Sequence, residues 1–341
     1  MLPWHHLTVR SSGAAVCGVL LLGALVTGCT DDADGSAGPA GRVDDRSWRT
    51  STAPVDASGL SWAVGSTVHL ADGTTVDTGR PPRAYVVAGD GVYFVPADDD
   101  ASAGDSAFTG ADLWFVRPGA DPGSTGLEVA GTGLARTPDG SRLVVLDADH
   151  DEGTAVMRFL DLSSGEETTS EDGMDTSGID DPVDHLLEAE VEILAVDDER
   201  VRARVIEGEE VYDLRTGEGA PASDDEPPLV RDALTSPDGT WRIEKPDSGP
   251  DRVVDADGRA VDLQVPQERW NLSWWADADT VVGTVITGPG TGKKTTEGDT
   301  VTLLSCAVAT GECTVHEGSA GETVLFPLRS SVAAIMLQGG E

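Results

Sequence analysis

Three aspartates at alternate positions, Asp147, Asp149 and Asp151, lie in one short stretch of the sequence. Carboxylates spaced in this way within a loop direct several oxygen atoms at one hard cation, as calcium loops do. The stretch departs from the helix-loop-helix calcium pattern, because Glu152 stands where glycine is needed and Arg158 where the bidentate glutamate is needed. Two interpretations stay open: a calcium site, or an acidic and solvated hairpin loop.

A cluster of three tryptophans, Trp270, Trp274 and Trp275, is the second group with a possible binding role. Exposed indoles on one face of a domain form a platform on which ligands stack. Large aromatic side chains also wedge between neighbouring sheets as core residues. The sequence therefore allows either a ligand-binding surface or packing at these positions.

Familiar catalytic motifs are absent from the sequence. There is no Gly-x-Ser-x-Gly, no His-Glu-x-x-His, no phosphate-binding glycine loop and no dinucleotide fingerprint. Carboxylates are numerous, but nothing in the sequence singles out a pair for glycoside cleavage. We predict no catalytic residue.

The composition is strongly acidic, with 61 acidic and 23 basic residues and a formal net charge of −38. Binding to nucleic acid or to anionic lipid surfaces relies on clustered cations, so neither is an expected partner. The excess of acid favours a cationic partner or a divalent metal, or it serves solubility alone.

Cys29 ends the sequence Val26-Thr27-Gly28-Cys29, which follows an apolar run from Ala14 to Val26. The run is too short for a permanent membrane-spanning helix, and small residues precede the cysteine. The segment resembles the lipobox of bacterial lipoproteins of actinobacterial type. The resemblance implies a signal peptide over residues 1–28 and acyl chains such as palmitate on Cys29. The mature protein is then expected to be anchored on the extracytoplasmic face of the cell membrane.

Cys306 and Cys313 form an even pair in the oxidising compartment that this location implies. They flank the sequence from Ala307 to Glu312, and a hairpin turning there places them opposite each other on two strands. A cross-strand disulfide is predicted, and a redox-active or metal-binding pair is the alternative.

Residues 29–59 have little apolar periodicity and are predicted to be a disordered tether, in which Trp48 is an exception that docks back on the domain. From Leu60 to Glu341 the chain shows short runs with strand periodicity, bounded by turn-forming residues. Examples are the runs 91–96, 113–117, 142–146, 201–206 and 280–286. The predicted class is all-β, and only His185 to Ala195 has a possible helical period.

Two turn motifs recur along this region. Pro-Asp-Gly occurs at 138–140 and at 237–239, and a Thr/Ser-Gly-Glu turn ends the segments 161–166, 213–218 and 307–312. Their order resembles the blades of TolB-like and WD-repeat-like bacterial β-propellers. The resemblance implies a propeller over residues 60–341, with six blades favoured and seven possible. Strands from Leu60 to Gly79 and from Glu322 to Leu337 are expected to share one blade and so to close the ring.

Together these features predict a monomeric envelope lipoprotein whose propeller is an accessory or sensory module that binds a protein or another ligand without catalysis. Two alternatives stay open. One is a metal-dependent propeller enzyme of the lactonase, lyase or hydrolase type, and the other is a lipoprotein that binds a glycan or solute. No cofactor is predicted apart from the candidate calcium.

Overall fold

The computed structural model describes residues 47–97, 110–130, 133–149, 152–176, 179–189, 191–223, 232–246, 249–328 and 334–336. All of them belong to one compact unit, Ala40–Glu341. None of the helices in these ranges has the length and apolar character needed to cross a membrane.

The chain enters the sheets through three short strands. They are β1 (Trp62–Val64), β2 (Thr67–His69) and β3 (Thr75–Asp77). A first sheet of four antiparallel strands follows: β4 (Pro82–Ala88), β5 (Gly91–Pro96), β6 (Ala111–Val116) and β7 (Gly123–Val129). The second sheet consists of β8 (Leu134–Arg136), β9 (Arg142–Asp149), β10 (Thr154–Asp161) and β11 (Glu167–Ser170).

A short helix, α1 (Pro182–Glu188), leads into the third sheet. This sheet consists of β12 (Glu192–Val196), β13 (Arg200–Val205), β14 (Gly208–Asp213) and β15 (Gly219–Pro221). The fourth sheet has β16 (Arg242–Glu244) and β17 (Arg252–Val254), and single bridges from Thr235 to Arg242 and from Val254 to Ala260 extend it on both sides.

The fifth sheet again has four consecutive strands. They are β18 (Trp270–Trp275), β19 (Thr280–Thr287), β20 (Thr300–Ala307) and β21 (Cys313–His316), followed by a 3-10 turn over Glu317–Ser319. The last strands are β22 (Thr323–Leu325) and β23 (Ala334–Met336). They join the first three in one sheet of order β23-β22-β1-β2-β3, which we call the terminal sheet.

The fold is an all-β propeller, as the sequence predicts. Both ends of the chain build the terminal sheet, in which Ala63 of β1 pairs with Leu325 of β22. The sheets within the described ranges number six, the blade count that the sequence favours. How many of them are blades of a single ring stays a prediction.

The recurring turns explain why the sheets repeat. In the Pro-Asp-Gly turns, Gly140 donates its N–H to the Thr137 carbonyl at 2.9 Å, and Gly239 donates to Ser236 at 2.8 Å. The aspartate side chain closes each turn, because Asp139 and Asp238 each accept the N–H two residues later at 3.0 Å. Such bonds are local, so the turn forms wherever the motif occurs.

The Thr/Ser-Gly-Glu turns also share one geometry. Gly165, Gly217 and Gly311 have φ angles of 76°, 74° and 74°, in the left-handed region that favours glycine. Each glycine donates to the carbonyl four residues earlier, at 2.7 to 2.8 Å. The third copy turns between Cys306 and Cys313, which pair across β20 and β21 and form the predicted disulfide.

Two sequence predictions need correction. Residues 47–59 belong to the packed domain rather than to a tether, because Ser51 donates a backbone hydrogen bond to Leu162 at 2.7 Å and Ala57 is buried. The predicted docking of Trp48 is confirmed, because this residue is buried as well. The predicted helical period from His185 to Ala195 is only partly right. Helix α1 ends at Glu188, and the residues from Glu192 onward form β12.

Candidate functional site

A concave surface with convergent polar groups lies between the terminal sheet and the fifth sheet. It has a volume of about 720 Å³, and we call it the histidine cleft. One wall comes from residues 56–62 and from β2 with the loop that follows it, and the other comes from β20, β21 and their turns. The lining residues are Asp56, Ser58, Gly59, Leu60, Trp62, His69, Leu70, Ala71, Asp72, Gly73, Asp277, Thr280, Ser305, Ala307, Glu312, Thr314 and His316.

Two imidazoles flank the indole of Trp62 in this cleft. Trp62 and His69 are cross-strand partners in β1 and β2, and their rings stack with centroids 3.8 Å apart and planes at 7°. His316 ends β21 and meets the same indole at 60°, with centroids 5.7 Å apart. Trp62 is buried at 5 % exposure, so it supports both imidazoles and offers little surface of its own.

Two serine hydroxyls contact His316, one at its ring and one at its backbone carbonyl. Its Nε2 atom lies 2.9 Å from Ser305 Oγ, and its carbonyl accepts a bond from Ser319 Oγ at 2.7 Å. Ser319 Oγ also accepts the N–H of Leu303 at 2.8 Å, which ties the 3-10 turn to β20. The bonds through Ser319 hold the backbone at His316, and the Ser305 hydroxyl contacts its ring, which lines the cleft.

The histidines are neutral at neutral pH. Burial lowers the pKa of His69 below its ordinary value. Burial also lowers the pKa of His316, and the nearby charge of a protonated His69 lowers it further. A neutral imidazole both accepts and donates a hydrogen bond, and it ligates metals.

Every charged side chain that lines the histidine cleft, within the described ranges, is acidic: Asp56, Asp72, Asp277 and Glu312. Turn hydrogen bonds hold them in place. Asp72 accepts the N–H of Thr74 at 2.8 Å, and this bond is the main cause that lowers the pKa of Asp72. Asp277 accepts the N–H of Thr280 at 2.7 Å. The cleft therefore carries a negative potential that favours a cationic ligand.

The Ser305–His316 contact has the distance of a nucleophile and its base. In nucleophilic catalysis a third group orients the imidazole, and donors stabilise the oxyanion. Among the contacts that the structure describes, His316 meets Ser305, Ser319 and Trp62, and none of these is a carboxylate. The geometry of the pair suits hydrogen bonding to a ligand.

The aspartates of the candidate calcium loop lie elsewhere. Asp147 and Asp149 line a second cleft of about 610 Å³, and Asp151 lies outside the described residues. Asp147 already accepts a bond from Arg158 Nε at 2.6 Å. In the part of the chain that the structure describes, no group of three or more histidine, cysteine or acidic side chains is arranged to hold a metal ion. The calcium site stays a prediction.

The tryptophan cluster packs rather than forming a stacking platform. Trp274 and Trp275 are 3 % and 4 % exposed, and they belong to the apolar cores around the fifth sheet. Trp270 is half-buried and packs against the same core as Trp275. A platform needs exposed indoles, so the packing alternative describes these residues. Cys29, the candidate lipidation site, lies outside the described residues.

Sequence reasoning did not find the histidine cleft. His69 and His316 lie near opposite ends of the chain, and no motif connects them. The sequence nevertheless contained one usable signal. In a closed ring, the blade predicted to be shared by both ends of the chain lies next to the last complete blade. Histidines in those two units were therefore candidates for a common surface.

Comparisons with known proteins add little to this geometry. No protein-family model and no curated protein matches the sequence. Among solved structures, TolB from Acinetobacter baumannii aligns with a TM-score of 0.32 and 12% identity over 74% of this chain and 61% of that chain. A prolyl endopeptidase aligns with a TM-score of 0.28 and 14% identity, over 77% of this chain and 39% of that chain. A variant of the AtxE2 isopeptidase with a bound astexin aligns with a TM-score of 0.35 and 14% identity, over 89% of this chain and 55% of that chain.

The chain thus spans less than two thirds of the length of each of these proteins. At such scores the likenesses carry no argument about function. The propeller assignment rests on the strand order and the repeated turns of this chain itself.

Proposed function

We propose that this protein is a cell-envelope lipoprotein, anchored through Cys29, whose propeller is a non-catalytic module that binds a cationic segment of a partner in the histidine cleft. The observation that carries the proposal is the lining of that cleft. Its charged residues are four carboxylates, and beside them stand two neutral imidazoles and the Ser305 hydroxyl.

The fit to a cation follows from charge and from shape. A lysine or arginine side chain carries several N–H donors, which carboxylates and neutral imidazoles accept. The four acids come from four different loops and turns that meet at the cleft, so a ligand inside is approached from several sides. The acidity of the whole chain adds a long-range field that speeds encounter with cations.

The arrangement favours binding over hydrolysis. Within the described contacts, the His316 ring meets the Ser305 hydroxyl and the indole of Trp62, and neither carries a charge to stabilise an imidazolium ion. A rigid sheet scaffold with a polar cleft at the junction of two sheets is a suitable binding surface.

Calorimetry with a lysine hexapeptide tests the proposal on the full-length protein. We expect the double variant Asp72→Asn/Glu312→Gln to bind about tenfold more weakly, because it removes two of the four cleft charges. The matched control is Asp257→Asn/Glu218→Gln, which removes two exposed acids outside the cleft. Equal affinities for the two double variants would contradict the proposal.

Site-specific photo-crosslinking in intact cells provides the second test. A photoreactive residue is placed at Thr314, an exposed position on the cleft wall, and at Thr169, an exposed position on the outer strand of the second sheet. We expect a discrete crosslinked product from Thr314 that disappears in the Asp72→Asn/Glu312→Gln background. If the same product also formed from Thr169, the partner would bind outside the cleft. The same conclusion would follow if the product from Thr314 persisted in the Asp72→Asn/Glu312→Gln variant.

A further inference from the structure

We propose that mild acidification releases the cationic ligand from the histidine cleft, because His69 and His316 flank a single indole inside the cleft and become cationic there. The inference rests on the proposed function and adds its regulation. It is carried by the placement of two imidazoles, from opposite walls, against Trp62.

The geometry links the two histidines to each other and to the ligand space. His69 lies flat on Trp62 at 3.8 Å, and His316 approaches the same ring at 5.7 Å. Both residues line the cleft, and both are partly buried. A proton on one imidazole therefore acts on its counterpart through a region with little water. A cationic ligand in the cleft is also repelled by a protonated imidazole.

The charged groups that line the cleft together with these imidazoles come from four elements. Asp56 belongs to the segment before β1, Asp72 to the loop after β2, Asp277 to the turn after β18, and Glu312 to the turn before β21. No lysine or arginine lines the cleft within the described ranges. Two imidazolium ions would thus halve the net charge of a cleft that otherwise holds four carboxylates.

Histidine is the residue whose charge changes under mild acidification, whereas most carboxylates stay ionised at about pH 5. Burial lowers the pKa of both imidazoles, and repulsion from a protonated His69 lowers the pKa of His316 further, so the cleft stays acidic at neutral pH and the change comes below the ordinary histidine value. The ligand therefore binds at neutral pH, where the imidazoles are neutral. It is released under mildly acidic conditions, because the imidazoles become charged before most carboxylates are protonated.

The test compares lysine hexapeptide binding at about pH 7.5 and about pH 5 for the full-length protein. We expect the affinity of the wild type to fall about tenfold over this range. The variant His69→Phe/His316→Gln should show no such fall, because phenylalanine keeps the stacked ring and glutamine keeps a partner for Ser305. His185→Gln, on helix α1 and outside the cleft, is the control that should retain the wild-type fall.

The outcomes separate the two proposals. Absence of binding by the wild type at about pH 7.5 would overturn the proposed function. Binding that does not change with pH, or a fall that persists in the double variant, would overturn the regulation while leaving the binding site in place.

A measurement without ligand keeps the inference falsifiable if the double variant fails to fold. The imidazole proton resonances of wild-type His69 and His316, assigned from single His→Gln variants, should titrate below the ordinary histidine value. Imidazole resonances that do not titrate between about pH 7.5 and about pH 5 would overturn the inference.

Discussion

Trp48 and Tyr93 meet edge to face, with ring centroids 6.3 Å apart and ring planes at 76°. The Tyr93 hydroxyl also donates a hydrogen bond to the Trp48 carbonyl, and Arg117 donates one to the carbonyl of Ser47. The segment that precedes β1 is therefore fixed to the first sheet before β1 begins.

Replacing this indole should destabilise the domain. We expect Trp48→Ala to lower the free energy of unfolding by about 3 kcal/mol, because it empties a core site that is 1 % exposed. Trp48→Phe should cost less than Trp48→Ala, because phenylalanine fills part of the site and within the described structure the indole N–H has no hydrogen-bond partner to lose. Urea unfolding measures both, with exposed Thr52→Ala as the control. Equal midpoints for Trp48→Ala and the wild type would show that the segment is not docked.

The contrast between Trp48 and the repeated turns shows what the sequence can reveal. The turns around Asp139 and Gly165 are built from bonds within a few residues, so their motifs predict them and, through their spacing, the sheets. The docking of Trp48 depends on Tyr93 and Leu162, and the histidine cleft depends on strands from both ends of the chain. Such contacts form only when the sheets are assembled. The large apolar side chain of Trp48 therefore predicts that this residue docks, but no local pattern identifies the residues it meets.

The ion pair between Arg269 and Asp299 should make the stability of the domain fall at acidic pH. Arg269 donates two hydrogen bonds of 2.8 Å to the Asp299 carboxylate, which also accepts the N–H groups of Gly290 and Thr296. The bonds from Arg269 are the main cause that holds the pKa of Asp299 well below its usual range. Below the ordinary carboxyl value the unfolded chain binds this proton and the folded chain does not, so stability falls as the pH falls.

Asp299→Asn tests this account. The variant should unfold at lower urea concentration than the wild type at neutral pH, and the difference should shrink as the pH is lowered toward about 3. Asp257→Asn, which removes an exposed carboxylate, is the control. A difference that stays constant over the whole pH range would contradict the assigned pKa direction.

Glu210 should make the stability of the domain change with pH in the direction opposite to that of Asp299. This residue of β14 is 6 % exposed, and within the described residues its Oε2 atom has no hydrogen-bond partner. Burial is the main cause that raises the pKa of Glu210, and the charges of Glu207 and Asp172 add to it. Between the ordinary and the raised value the folded protein binds more protons than the unfolded chain, so stability falls as the pH rises.

Glu210→Gln should therefore stabilise the domain by about 1 kcal/mol at neutral pH, because it removes a buried charge. Urea unfolding from about pH 4 to about pH 7 should show the decline in the wild type and a smaller decline in the variant. Glu218→Gln, at an exposed position of the third sheet, should follow the wild type. Destabilisation by Glu210→Gln at neutral pH would show that the carboxylate has a partner in solution.

Membrane residence should depend on Cys29 alone. With a net charge of −38, the protein has no electrostatic attraction to anionic headgroups, so stable attachment needs the two or more acyl chains that the lipobox implies. We expect cells fed an alkyne analogue of palmitate to label the wild type and Cys17→Ala, whose cysteine belongs to the predicted signal peptide, and not to label Cys29→Ala. In detergent phase separation the labelled proteins should partition with the detergent. Label that persists on Cys29→Ala would show that another residue carries the acyl chain and would remove Cys29 as the anchor from the proposed function.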